Sequence, residues 1–250
     1  MSIHIIFRTY NGKEEWPSYN DRVKGVVKAF FDHDLQQIGL IGMQEVKDGE
    51  PHGVYIFRDE ANRIYGQSAA AIDYKSLGIV VDQKFEIHKT LKKYLGKDSI
   101  CHLGNRAKRR LLGVQLSHPD FDNLFWFFTT HLSHGNQSAQ RKEQMEKIID
   151  AIHGAVNINE LPPWIVGDFN WGSESEEAHI MLEKDFSLVF GEGIDQIWIG
   201  RPEKFNCRTI NLYLIESKVI DLKSTQLSDH NSPSVKISYG SFKPPWLIPG

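Results

Sequence analysis

Hydrophobic residues recur along the chain with two periods, one near two and one near 3.6, and the periods alternate. Residues 3–10, dense in β-branched and aromatic side chains, predict a first strand closed by Asn11-Gly12. Val23, Val26, Val27, Phe30 and Phe31 then fall at i, i+3, i+4, i+7 and i+8, the spacing of an amphipathic helix, with Ser18 or Asn20 as its cap. Residues 38–43 predict a short buried strand broken by Gln44-Glu45. Apolar runs at 54–57, 77–81, 111–116 and 124–130 predict further strands, separated by turns such as Ser117-His118-Pro119-Asp120. A second helix is expected over 139–153, with Met145, Ile148, Ile149 and Ile152 on one face. Pro162-Pro163 ends that segment, and Trp164-Ile165-Val166 opens another strand. Later strands are expected at 194–199, near 218–222 and at 234–238, with 240–250 as a loose tail. No internal repeat and no Gly/Ser or Pro linker interrupts the series. The pattern predicts one domain over 1–250, an α/β sandwich with sheets inside and helices outside.

Composition narrows this picture. A chain of 250 residues with 40% hydrophobic and 11% aromatic residues can bury a sizeable core and is not disordered. A net charge of -3 argues against binding nucleic acid through whole-molecule electrostatics. The local exception is Arg106-Ala107-Lys108-Arg109-Arg110, a run whose commonest explanation is a solvated strand edge. Cys101 and Cys207 form neither a metal-spaced cluster nor a disulfide framework. No basic segment precedes the first apolar run, and no apolar run approaches the ~20 residues of a membrane span. The expectation is a cytoplasmic monomer without a membrane span.

One feature of the strands points to chemistry. Apolar runs repeatedly end in a polar residue that is costly to bury without a partner or a task. Residues 5–10 lead into Asn11, 38–43 into Gln44-Glu45, 125–130 into His131, and 164–167 into Asp168 and Asn170. Ile194 precedes Asp195, and Asp229-His230 stand just before the last strand. Taken singly, each is an ordinary turn or cap residue. Together they make a set of oxygen ligands, amides and histidines, with no catalytic thiols and no Gly-rich phosphate loop. Phosphoester hydrolysis needs such a set: hard oxygen ligands for a cation, a carboxylate to orient or deprotonate water, and neutral or protonated donors for the developing charge.

Gln44-Glu45, Thr130-His131-Leu132, Gly167-Asp168-Phe169-Asn170, Ile194-Asp195-Gln196-Ile197 and Ser228-Asp229-His230-Asn231-Ser232-Pro233 resemble the ordered motifs of the endonuclease/exonuclease/phosphatase superfamily, the deoxyribonuclease I-like proteins. Thr9-Tyr10-Asn11 resembles the N-terminal motif of that superfamily. The resemblance implies a four-layer α/β sandwich and a Mg²⁺ or Mn²⁺ ion. It implies Glu45 as the main metal ligand, with Asn11 and Asp229 beside it. Asp168 would orient or deprotonate the attacking water. Asn170 and His131 would contact the phosphate, and His230, held by Asp195, would do so too or transfer a proton. Arg109 is a further candidate for phosphate contact, and Arg141 for steering phosphate or for structure. Lys13 stands where many nucleases of the superfamily have an acidic or amide residue, and Trp171-Gly172 replaces the Tyr-Arg pair usual in inositol polyphosphate 5-phosphatases.

The expected substrate is a phosphoester, with a nucleic acid as one candidate partner. A phosphodiesterase or nuclease is preferred over a phosphomonoesterase or a phospholipase-type hydrolase. Arg106 to Arg110 and Trp171 suit a strand of nucleic acid through phosphate contact and base stacking. Choice among substrates is expected from loops near Pro51-His52, 61–67 and 174–190. A calcineurin-type dinuclear phosphatase would need a Gly-Asn-His motif, which is absent, and the His131/His134 pair is thin evidence for zinc. An inactive binding protein on the same fold is the rival from another class, disfavoured because Glu45, Asp168, Asn170, Asp195 and His230 are all retained.

Overall fold

The computed structural model describes residues 3–12, 18–33, 39–66, 69–98, 107–120, 123–171, 176–207 and 212–239. The expected tail at 240–250, Lys13, Arg106, Cys101 and residues 172–175 lie outside these. In chain order the first half is β1 (Ile3–Asn11), α1 (Tyr19–His33), β2 (Leu40–Gln44), α2 (Gly53–Tyr65), β3 (Ala70–Tyr74), β4 (Leu77–Val81), β5 (Glu86–Lys97) and β6 (Lys108–Ser117). The second half is β7 (Phe125–His131), α3 (Ser138–Ala155), β8 (Trp164–Asp168), α4 (Glu177–Asp185), β9 (Phe186–Glu192), β10 (Asp195–Gly200), α5 (Pro202–Phe205), β11 (Leu212–Ile220) and β12 (Ser232–Tyr239).

Two parallel crossovers organise these elements. In β1-α1-β2 and again in β7-α3-β8 the two strands pair side by side in parallel, joined through a helix on the outer face. Antiparallel strands extend each pair into a six-stranded mixed sheet, ordered β11-β12-β1-β2-β4-β3 in one and β5-β6-β7-β8-β10-β9 in the other. The sheets pack face to face with α1 and α2 outside the first and α3 and α4 outside the second, the four layers expected from sequence. Among the described residues no helix is long and apolar enough to cross a membrane.

Alternation along each strand fills the layers. Phe7, Phe127 and Trp164 enter the inter-sheet core, where the Phe7 ring stacks on Trp164 at 4.0 Å between centroids. Tyr10, Ile41 and Met43 face α1 and α2, and Leu111, Phe128 and Ile165 face α3 and α4.

The seam between the sheets also carries a polar bridge. Thr9 Oγ1 donates to Gln44 Oε1 at 2.8 Å, and Gln44 Nε2 donates across the interface to Thr129 Oγ1 at 2.7 Å. All three residues are buried. Gly42 makes room for this contact, since a Cβ there would overlap the Val166 and Thr129 side chains.

Three sequence expectations are corrected. Residues 54–57 are not a strand but the start of α2: Val54, Phe57 and Ala61 lie at helical spacing against one core, His52 Nδ1 accepts from the Val54 N–H at 3.3 Å, and Gly66 closes the helix. A four-residue apolar run is too short to separate the two periods. Residues 61–65, expected as loop, belong to the same helix. Within 174–190, also expected as loop, the structure has α4 and most of β9.

Gly42→Val is expected to destabilise the fold by ~1–3 kcal/mol or more, the usual cost of overpacking a filled interior. A urea denaturation midpoint equal to that of wild type would show that the sheets have slack at this point.

Candidate active site

Strand ends build the site. Asn11 ends β1, Glu45 follows β2, His131 ends β7, Asp168 ends β8 and Asp195 begins β10. The parallel and antiparallel registers set His131 opposite Asp168 and Asp168 opposite Asp195. At Gly167 a Cβ would strike the Thr130 carbonyl, so glycine lets β8 close on β7 just where Asp168 meets His131. Glu45 has φ 49° and Asn170 φ 54°, left-handed conformations uncommon for a Glu, which turn both chains sharply as they leave their strands.

The two sheets meet at Asn11. Its Nδ2 lies 3.3 Å from Glu45 Oε1 on the neighbouring strand and 3.3 Å from Asp168 Oδ2 in the opposite sheet. His131 Nε2 lies 3.8 Å from Glu45 Oε1 and 3.7 Å from Asp168 Oδ2. His230 Nδ1 makes a 2.6 Å hydrogen bond with Asp195 Oδ2 and lies 3.8 Å from Asp168 Oδ2. Asp229 Oδ1 is 3.8 Å from His230 Nε2. The Asn170 N–H donates to Asp168 Oδ1 at 3.1 Å, and Asn170 Nδ2 donates to the Leu132 carbonyl at 3.1 Å. A cleft of about 270 Å³ opens beside Asp195, Asp229 and His230, with Lys223 and Asn231 on its wall.

The contacts that brace these residues are visible only in the structure. Ser228 Oγ donates to the Asn11 carbonyl at 2.7 Å and accepts from the His230 N–H at 3.1 Å, which pins the turn before β12 to the end of β1. Ser228 lies in the 228–233 motif, but the sequence alone assigns it no role; a Ser two residues before a His in a turn is the signal for such a contact. Asp98 takes a bidentate pair from Arg109 at 2.9 and 2.7 Å and accepts from Ser133 Oγ at 2.5 Å. Arg141 donates to the Ser133 and Gly135 carbonyls and pairs with Glu176 at 2.5 Å. This network holds the segment that follows His131.

Other candidates are placed elsewhere. Arg109 is buried with two of its nitrogens on Asp98, a bracing duty rather than an open fork for phosphate. Arg141 is likewise committed to carbonyls and Glu176. His134 lies 3.1 Å from Arg109 and 3.5 Å from Asp98, so it does not pair with His131 around a zinc. Trp171 is buried, stacked on Phe169 at 4.7 Å with its N–H on Gln196, and offers no face to a base.

The chain is similar in fold to an endonuclease/exonuclease/phosphatase from Bacteroides vulgatus, with a TM-score of 0.72, 17% identity, and coverage of 95% of this chain and 100% of that one. It is similar to D. rerio TDP2 complexed with a single-strand DNA product at a TM-score of 0.66, 12% identity and coverage of 94% and 98%. It is also similar to a Bacteroides thetaiotaomicron mannosyl-6-phosphatase at a TM-score of 0.63, 16% identity and coverage of 93% and 99%. The chain has the endonuclease/exonuclease/phosphatase fold. No family profile and no curated protein matches it.

On this deoxyribonuclease I-like fold the donor chemistry suits a hard divalent cation. Asp168, Asp195 and His230 offer ligand atoms within 4.8 Å of one another, and Glu45 adds a carboxylate 3.8 Å from His131. His230 Nδ1 is already engaged by Asp195, so the carboxylates and the Asn11 amide are the better cradle. Asp195 Oδ1 is buried and makes no hydrogen bond among the described residues. Burial, then the charge of Asp195, push the Asp168 carboxyl up to about 8 against the pull of His230, with Glu45 adding to the rise. Burial likewise raises Asp195, despite its bond to His230. Burial works against the His230 charge, but the hydrogen bond and charge of Asp195, with Asp168 and Asp229, raise it to about 9. A bound cation would relieve this crowding of carboxylates.

Both raised groups bear on stability. Between its ordinary value and about 8, Asp168 holds a proton in the folded chain that the unfolded chain has released; His230 does the same up to about 9. Folding takes up protons, so the metal-free fold should lose stability as pH rises from about 5 to about 9. In EDTA the thermal midpoint is expected to fall over that range, and Asp168→Asn to flatten the part below about pH 8. A midpoint that climbs with pH would contradict this charge arrangement.

Proposed function

We propose that the chain is a divalent-metal-dependent phosphoester hydrolase, working as a phosphodiesterase or nuclease from one domain. The observation that carries this reading is the convergence of Asn11, Glu45, His131, Asp168, Asp195 and His230 at the seam of the two sheets. Glu45, Asn11 and Asp229 would hold Mg²⁺ or Mn²⁺. When bound, the cation would neutralise the phosphate and favour ionisation of nearby water.

The protein's own groups supply the rest. Asp168, fixed by the Asn170 N–H and the Asn11 amide, is set to orient an attacking water and take its proton as the new P–O bond forms. Asp195 fixes the Nδ1 side of His230, which leaves Nε2–H to donate to a phosphate oxygen. One amide hydrogen of Asn170 is used on Leu132, and the second remains for the phosphate. His131, between Glu45 and Asp168, can contact a non-bridging oxygen or return a proton to the leaving alkoxide as the P–O bond breaks.

Hydrolysis of bis-p-nitrophenyl phosphate tests the reading. EDTA should abolish turnover and Mg²⁺ or Mn²⁺ should restore it; restoration by Zn²⁺ alone would favour a dinuclear metallophosphatase. Glu45→Ala should abolish metal-dependent turnover with an unchanged circular dichroism spectrum, and normal activity would remove Glu45 from the metal.

His230→Ala should lower kcat by ~10²-fold, as loss of a positioned acid-base group typically does. A loss under about tenfold would place His230 outside direct contact with the substrate.

A further inference from the structure

Strand phase puts a row of cations on one face. Leu112, Val114 and Leu116 of β6 enter the inter-sheet core, so Lys108 and Arg110 share their face. On β5, Lys92 stands opposite Leu112, Tyr94 opposite Arg110 and Lys97 opposite Lys108, with a bulge between Tyr94 and Gly96 that keeps Lys97 in phase. On the other face Leu91, Leu95 and Leu111 pack into the core beneath α3, with Lys89 and Lys93 exposed beside them.

Among the described residues the opposing sheet covers only part of this face. It ends at its edge strand β3, where the Tyr74 ring lies under Lys92 Nζ at 5.8 Å and Arg110 Cζ at 5.5 Å. Beyond Tyr74 no described element covers the inner face: Lys92, Lys97 and Lys108 are exposed, and Tyr94 is 46% exposed. Among the described residues Lys92, Lys97, Lys108 and Arg110 make no ion pair, while Arg109 on the other face pairs with Asp98 through two of its nitrogens.

A need for solubility does not account for this. Lysines on an edge strand guard against pairing with another chain. That role needs only β5; it requires neither a second cationic row on β6 nor an exposed tyrosine among the charges. A polyanion with planar groups complements both features, since cations follow its phosphates and an aromatic ring accepts a base. Stacking on Tyr94 requires unpaired bases, which selects a single strand over a duplex. The shelf adjoins the candidate site: the Arg110 carbonyl accepts from Thr130 Oγ1 at 2.9 Å, and Thr130 immediately precedes His131.

We propose that the inner face of β5 and β6 docks a single-stranded polynucleotide and leads it toward His131. The hydrolase reading above supplies the reason for delivery there; the binding itself stands apart from it. Fluorescence anisotropy with labelled oligo-dT and oligo-U in EDTA, over a series of salt concentrations, measures the docking. Wild type should bind at least one of them. Lys92→Gln with Lys108→Gln should make the slope of log K against log salt shallower by roughly 1.4, two phosphates at ~0.7 each. Tyr94→Ala should weaken binding by ~5-fold or more while Tyr94→Phe does not. All three variants should hydrolyse bis-p-nitrophenyl phosphate like wild type. Variants that bind oligonucleotide as wild type does would overturn the shelf, as would a wild type that binds only phosphatidylserine vesicles. If wild type hydrolyses nothing, the hydrolase reading fails while the EDTA titrations still decide the shelf.

Discussion

The hydrogen-bonded bridge from Thr9 through Gln44 to Thr129 is the contact on which the rest depends. Sheet-on-sheet packing is mostly non-directional, and apolar side chains alone tolerate small slides of one sheet across the other. A buried amide with a donor and an acceptor partner on opposite sheets does not, because a slide would strand polar groups without water. Asn11 lies two residues beyond Thr9, Glu45 follows Gln44, and His131 lies two residues beyond Thr129. The bridge thus fixes the three strand ends that face Asp168, and the 3.3 Å approach of the Asn11 amide to a carboxylate of the other sheet is its direct consequence.

That alignment gathers like charges. Asp168 and Asp195 are cross-strand partners, and Glu45 stands close by, an arrangement that opposes folding wherever all are ionised. The structure offsets the repulsion with the His230 imidazole on Asp195, the Asn11 and Asn170 donors, and protons retained on buried groups. Around the cluster, Asp98, Arg109, Ser133 and Arg141 tie down the segment after β7 through buried, mutually satisfied bonds. Charge crowding at the strand ends is tolerable because the scaffold beneath is over-determined.

Much of this was legible in sequence, for identifiable reasons. Strands ending in polar residues mark a sheet's working edge whatever the tertiary detail, so Asn11, Glu45, His131, Asp168 and Asp195 could be grouped before any contact was known. The helices α1 and α3 were legible because their apolar faces run over several turns. The strand β5 was not, since a strand with most of its positions exposed and lysine-rich carries no alternation of apolar and polar residues. Nor could sequence place Arg109. Whether an arginine in a basic run faces a phosphate or a buried aspartate depends on strand phase, and the phase of β6 turns Arg109 toward Asp98 on the helix side and its neighbours Lys108 and Arg110 to the inner face.

The same phase bears on what net charge means for this molecule. A total of -3 describes a distant observer, for whom acidic and basic regions average. At physiological salt, charges are screened beyond ~8 Å, so an approaching phosphate responds to its nearest few side chains. On the inner face of β5 and β6 those are Lys92, Lys97, Lys108 and Arg110, while Glu45, Asp168, Asp195 and Asp229 gather at the strand ends, where a cation would offset them. Local charge, rather than the sum, is what a polyanionic substrate would meet on the proposed function: attraction along the shelf, and at its end a group of carboxylates whose charge a divalent ion would offset. On the proposed function, such a layout would guide the substrate and hold the cation from one rigid scaffold, without any moving part.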